Sequence, residues 1–216
     1  MEKVKKYLKW FFESFIWLGI VLFITDIITK QAIVANREEI VSKGGIELIP
    51  NFLRINYVIN NNFVFGLTTG NDLSNRIIFC VVASIIVIGI IVFTVIKWGK
   101  LTKMFKACIM MVIAGAIGNL VDRIFYSPEF LGNPVNGVVD WIDFYGVWKF
   151  NFNIADSSVV VAAIMLFVYM LVVDIIDNRK KQKEQPVEEK EDNTKVLSKT
   201  EQEKKEFIEK QNNSNE

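Results

Sequence analysis

Residues 77–96 carry no charged side chain across 20 consecutive positions. At about 1.5 Å of rise per residue, a helix of that length crosses a hydrocarbon core of roughly 30 Å. A soluble domain of 216 residues needs no such run. The chain therefore reads as an integral membrane protein, and any irregular backbone must stay out of contact with lipid.

Three further apolar runs accompany it, so the expected spans are 10–28, 77–96, 104–121 and 157–176. Glu13 and Lys106 sit near the starts of the first and third, where a long side chain can reach the headgroups. Lysine placement predicts the orientation. Lys3, Lys5, Lys6 and Lys9 precede the first span. Lys97, Lys100, Lys103 and Lys106 fill the short link between the second and third, and Arg179, Lys180, Lys181 and Lys183 follow the fourth. These regions are expected in the cytoplasm, with both termini, and segments 29–76 and 122–156 outside. No small-x-small cleavage site follows the first run, so it is expected to stay as a helix.

That orientation brings ionisable residues to one surface. Asn119 and Asp122 close the third run, and Asn153 and Asp156 open the fourth. Asp26 and Lys30 end the first, and Arg123 and Asp140 fall at the same level. A charge near the bilayer core costs roughly 2.5–3.5 kcal/mol on insertion scales, so such groups tend to mark function. Two carboxylates held close together cannot both ionise cheaply. One keeps its proton, and the pair can serve as base and acid towards a carbonyl and its attacking water. The same residues also admit a plain reading: Asp122 beside Arg123 as an interface ion pair, Asp156 as a helix cap, and Asp26–Lys30 as a local pair one helical turn apart. Gly115 and Gly118 allow close helix packing near Asp122.

Other classes drop out. There is no histidine, which removes Ser-His-Asp and Cys-His machinery and the usual zinc ligands. A net charge of +1 argues against a nucleic-acid partner. Cys80 and Cys108 lie inside apolar runs and read as small buried residues. Segment 46–66 is rich in β-branched and aromatic residues, with turn signals at Pro50-Asn51 and Asn60-Asn61-Asn62. A small sheet is expected there, with the aromatic segment 126–152 joining it as a platform beside the polar cluster. The fold class is thus an α-helical membrane protein of four transmembrane helices with a small extracytoplasmic β-sheet. Residues 179–216 are densely charged in both signs and read as a solvated tail, disordered or a lone helix.

Five blocks in order resemble the signal peptidase II (lipoprotein signal peptidase) family: Asp26-Ile27-Ile28-Thr29-Lys30, Asn60 to Gly66, Gly115 to Arg123, Val139-Asp140-Trp141 and Phe152 to Ser157. Asn62 stands where that family usually has Gly, and Val64 where it has Ala. The resemblance implies a membrane aspartyl endopeptidase with no metal or cofactor. Its implied substrates are diacylglyceryl prolipoproteins cut just before the lipidated Cys. By matched position it implies Asp122 and Asp156 as the catalytic dyad, with Asp26, Lys30, Asn60, Asn119, Arg123, Asp140 and Asn153 binding substrate or supporting them. Residues 1–178 are then the peptidase domain, working as a monomer among membrane lipids. The alternative is a small ion- or proton-coupled transporter bundle, in which Asp26, Asp122 and Asp156 relay protons or bind a cation. Such proteins place these groups nearer the midplane.

Overall fold

The computed structural model describes residues 2–60, 72–125, 129–130, 133–134 and 137–213. Asn61 to Gly66, including Asn62 and Val64, lie outside the described residues. The chain divides into two compact units, 1–166 and 167–216.

The helices are α1 (Glu2–Ser14), α2 (Ile16–Ala35), α3 (Arg37–Ser42), α4 (Asp72–Lys97), α5 (Lys103–Phe125) and α6 (Ile154–Asn213). A 3₁₀ turn, Trp98–Lys100, follows α4. Among the described residues, four helices are long and apolar enough to cross a membrane: Ile16–Ala35, Ile77–Lys100, Lys103–Phe125 and Ile154–Lys180. Their large apolar side chains face outward, as lipid requires; Ile85, Val95 and Ile96 are all at least 65% exposed. The unit 167–216 is helical through Asn213.

The first span differs from its expected bounds. It starts at Ile16, not at residue 10, because the backbone breaks at Phe15, which adopts φ 59°. A non-glycine residue accepts that conformation only where its surroundings hold it. Here the Ser14 hydroxyl donates to the Phe11 carbonyl (2.7 Å) and accepts from the Ile16 amide (3.3 Å), while Trp17 Nε1 donates to the Phe12 carbonyl (3.2 Å). Glu13 therefore belongs to a separate helix, α1, with lysines on one face and Val4, Leu8 and Phe11 on another.

Within 1–166 the helices α2, α5 and the beginning of α6 share a core of Cys108, Met111 and Ala162, backed by Leu18, Leu22 and Met165. Neither cysteine is in a disulfide. Glycines set how near the helices come. A Cβ on Gly115 would lie 2.4 Å from the Ala155 carbonyl oxygen, and one on Gly118 would lie 2.7 Å from Asp26 Oδ2. Only a missing side chain permits either approach.

Segments far apart in sequence build one antiparallel sheet in the order β1-β2-β5-β6: β1 (Ile46–Ile49), β2 (Leu53–Asn60), β5 (Val138–Asp143) and β6 (Asn151–Phe152). A second ribbon pairs β3 (Glu129–Phe130) with β4 (Asn133–Pro134). Asn51 takes φ 57° in the expected turn between β1 and β2. One face of the sheet packs Tyr57 and Val139 against Ile33 of α2 and Ile40 of α3. Strand alternation then aims Asp140, next to Val139, at the opposite side.

A bulge decides what meets Asp140. The register runs Ile55↔Ile142, then Val58↔Asp140 and Asn60↔Val138, so β2 spends one extra residue between Ile55 and Val58. Without that residue Ile59 would occupy the diagonal position beside Asp140. With it, Asn60 does.

Candidate functional site

Five elements deliver the polar cluster. The last half of α2 supplies Asp26 and Lys30. The last turns of α5 supply Asn119, Asp122 and Arg123. Strand β5 supplies Asp140, and the start of α6 supplies Asn153 and Asp156, with Asn60 reaching in from β2. Asp26, Lys30, Asp122, Asp140 and Asn153 are each at most 4% exposed.

Lys30 is the centre of one half. Its Nζ lies 2.6 Å from Asp26 Oδ2 and 2.7 Å from Asp122 Oδ2, and donates to Asn119 Oδ1 at 3.1 Å. The contact to Asp122 Oδ2 is a buried ion pair. The local Asp26–Lys30 pair is present, and Lys30 extends it across to a second helix. Asp26 also accepts the Ala155 backbone amide through Oδ1 at 2.9 Å. One carboxylate thus ties the beginning of α6 to α2.

Asn153 is the centre of the other half. It precedes α6 and its Oδ1 accepts the Asp156 amide (2.8 Å), while its own amide approaches Asp156 Oδ2 (3.3 Å). This reciprocal exchange is a capping box, with Asn153 as the cap and Asp156 three residues on. The cap reading of Asp156 is therefore correct in part: Asn153 caps, and Asp156 returns the bond. The Asn153 side-chain amide donates to Asp140 Oδ1 at 2.8 Å and to Asn119 Oδ1 at 3.1 Å. Asn119 Nδ2 donates to Asp156 Oδ1 at 2.7 Å, and Asn60 Nδ2 donates to Asp140 Oδ2 at 2.9 Å. Arg123 stacks over the Phe79 ring, 4.0 Å from its centroid.

All nine residues singled out from the sequence lie in this region, but the charges pair differently from expectation. Asp122 shares its site with the Lys30 cation. Asp140 faces amide donors, and burial together with the charge of Asp156 raises its carboxyl from 3.8 to about 7. Asp140 is thus poised to share a proton with Asp156 near neutral pH.

Sequence reasoning missed three participants: the Ala155 amide on Asp26, the Phe79 ring under Arg123, and the Val139 carbonyl within 3.4 Å of Asn153 Nδ2. Backbone partners carry no residue-type signal, and Phe79 sits in an apolar run where aromatic side chains are ordinary. Among the described residues, no group of three or more acidic or cysteine side chains is arranged to hold a metal ion.

Comparison with known proteins gives a consistent result. Residues 18–172 match the family Signal peptidase (SPase) II. A lipoprotein signal peptidase of Fusobacterium nucleatum subsp. nucleatum is 31% identical over 153 residues, covering 70% of this chain and 82% of that protein. One from Desulfitobacterium hafniense is 32% identical over 147 residues, covering 68% and 85%. A bacterial membrane enzyme solved by the in meso method at 2.3 Å resolution superposes with a TM-score of 0.54 at 28% identity, covering 73% of this chain and 87% of that one.

Proposed function

The chain belongs to the signal peptidase II family, a family of membrane proteases that remove signal peptides from prolipoproteins, and from that premise we propose that Asp140 and Asp156 are its acid/base pair. The transporter alternative has no support from the relatives, which are peptidases. The observation that carries the assignment is the electrostatic contrast between Asp140 and Asp122. Asp140 is buried against amide donors with its carboxyl raised to about 7 by burial and by Asp156, whereas Asp122 lies 2.7 Å from a lysine ammonium. An acid for catalysis at neutral pH needs a proton to give, and a carboxyl balanced near 7 has one.

The mechanism follows from the contacts. Asp156, accepting N–H groups from Asn119 and Asn153, acts in its carboxylate form and takes a proton from the attacking water. Asp140 gives its proton to the carbonyl oxygen of the scissile peptide as the tetrahedral intermediate forms. Asp156, now protonated, delivers that proton to the leaving amine as the C–N bond breaks, while one hydroxyl of the intermediate returns its proton to Asp140 and becomes the carbonyl of the new carboxyl group, which restores the starting pair. Asn60 and Asn153 fix the two oxygens of Asp140. Asp26, Lys30 and Asp122 form a positioning group: they hold α2, α5 and α6 in register so that Asn119 and Asn153 can aim the pair.

The substrate is a prolipoprotein whose lipobox Cys carries diacylglycerol, cut just before that Cys. Its acyl chains stay in lipid while the peptide reaches the polar cluster at the outer interface. Lysine placement supports cytoplasmic termini. Every group of the cluster comes from one chain, which supports action as a monomer surrounded by membrane lipid. Residues 1–178 form the peptidase domain and 179–216 a cytoplasmic tail.

A second reading keeps Asp122 with Asp156 as the dyad, the pair implied by sequence resemblance. The observation that favours it is Asn119, whose two side-chain ends touch Lys30, the partner of Asp122, and Asp156. Gel-shift cleavage of a lipidated precursor by the purified protein separates the readings. Asp140→Asn and Asp156→Asn are expected to fold, bind precursor and leave it uncut. An Asp140→Asn variant that cleaves normally, beside a folded and inert Asp122→Asn, would hand the role to Asp122. Unlipidated precursor is expected to be a poor substrate, because each buried CH₂ of the missing chains contributes about 0.8 kcal/mol of anchoring.

A further inference from the structure

At the other end of α5 from Asp122, the helices α1, α2, α4 and α5 and the 3₁₀ turn frame an open apolar crevice of about 550 Å³, lined by Trp10, Ile16, Ile91, Val95, Trp98 and Ile113 among others. Its polar lining is slight: the hydroxyl of Thr94, buried there, is spent on the Ile90 carbonyl at 2.6 Å. The rim is cationic. Lys106 Nζ sits 4.7 Å from the centroid of the Trp98 ring, and Lys103 pairs with Glu13 of α1 at 3.6 Å. Both members of that pair are largely exposed, 74% and 48%, so the contact is loose and Lys103 is able to change partner. Residues 97–106 hold Lys97, Lys100, Lys103 and Lys106 and no acid. Helix α1 brings four lysines more, and the bend at Phe15 turns its Trp10 in as a wall.

An apolar slot with the Lys103 and Lys106 ammonium groups beside its mouth suits one chemical class: an acyl chain joined to an anionic phosphate. We propose that this crevice is a binding site for an anionic phospholipid, with one acyl chain between Trp10 and Ile113 and the headgroup phosphate at Lys103 and Lys106. Charge complementarity selects this occupant. A zwitterionic lipid offers the rim a phosphate with its own cation attached, and an uncharged apolar segment offers it nothing. Trp10 and Ile16 precede residue 18, where the match to the family begins. A lipid seated here would brace α1 against the start of α5, the helix whose far end carries Asn119 and Asp122.

Native mass spectrometry of the full chain in detergent, with equal amounts of phosphatidylglycerol and phosphatidylcholine, tests this. The wild type is expected to retain phosphatidylglycerol preferentially. The double substitution Lys103→Gln/Lys106→Gln should lose that preference by about tenfold, since each lysine near an anionic headgroup contributes appreciably. Ile113→Trp, which fills the crevice, should lose both lipids. Phosphatidylglycerol should also raise the melting temperature of the wild type and not of the double variant. Equal retention of the two lipids by the wild type, or an unchanged preference in the double variant, overturns the proposal. So does an Ile113→Trp variant that keeps its lipid but shows a raised KM for precursor, because the crevice then receives the substrate's signal segment.

Discussion

Asp140→Asn tests the site most directly, because the same substitution moves activity and stability in different ways. Burial and the charge of Asp156 place the Asp140 carboxyl at about 7, against 3.8 when free. That difference corresponds to roughly 4 kcal/mol between the two protonation states. Between those two values the folded chain holds a proton that the unfolded chain has released. The stability from this group is therefore full below about pH 4 and lost as pH rises through 7. Integrated from pH 5 to pH 9, the wild type loses about 3 kcal/mol from this group. Asn carries no titrating proton, so the variant lacks this loss. It has its own cost: the two carboxyl oxygens accept from Asn60 and Asn153, and an amide side chain can accept only one of these. One buried donor is left facing another, costing about 1–3 kcal/mol. The variant should thus be less stable than wild type at pH 5 and equal or more stable at pH 9. Thermal unfolding in detergent, followed by circular dichroism, should give a pH 5-to-9 fall in melting temperature that is about 6–12 °C larger in the wild type. Parallel curves for the two proteins would refute the assignment of a buried, proton-holding carboxyl at this position, and with it the acid role.

Other perturbations read other parts of the site. The kcat for a lipidated precursor should fall as pH rises above about 7, where Asp140 loses its proton; a kcat that keeps rising to pH 9 contradicts its role as acid. Lys30→Met leaves Asp26 and Asp122 buried without their cation and should cost about 3–5 kcal/mol, seen as a lowered melting temperature and lost cleavage, with neither recovered by adding substrate. Gly118→Ala sets a methyl 2.7 Å from Asp26 Oδ2 and should destabilise by about 1–3 kcal/mol, whereas Gly89→Ala, with nothing within 4 Å, should be neutral or slightly stabilising; equal melting temperatures for the two variants would contradict the packing described here. Asn153→Ala removes the cap of α6 and a donor to Asp140. It should lose about 1 kcal/mol of stability and far more in kcat.

Much of the architecture was legible in the chain itself. Uncharged runs of membrane-crossing length have few solutions other than transmembrane helices, so the second, third and fourth spans were readable to within a few residues. The first was not, because its start depends on a left-handed residue at Phe15 held by side-chain contacts, and nothing in residue type marks that bend. The membership of the polar cluster was also readable: ionisable groups at helix ends on one side of a bilayer have little choice but to meet. Which of them pair was decided only by tertiary structure. Lys30, one helical turn from Asp26, could have stayed a local pair; the close approach allowed by Gly118 brings Asp122 to it as well. A single extra residue in β2 determines that Asn60 rather than Ile59 faces Asp140. Periodicity and composition identify groups and their depth, but a carboxyl's proton depends on distances of a few ångströms to charges on other elements, and those distances arise only when the helices and the sheet pack together.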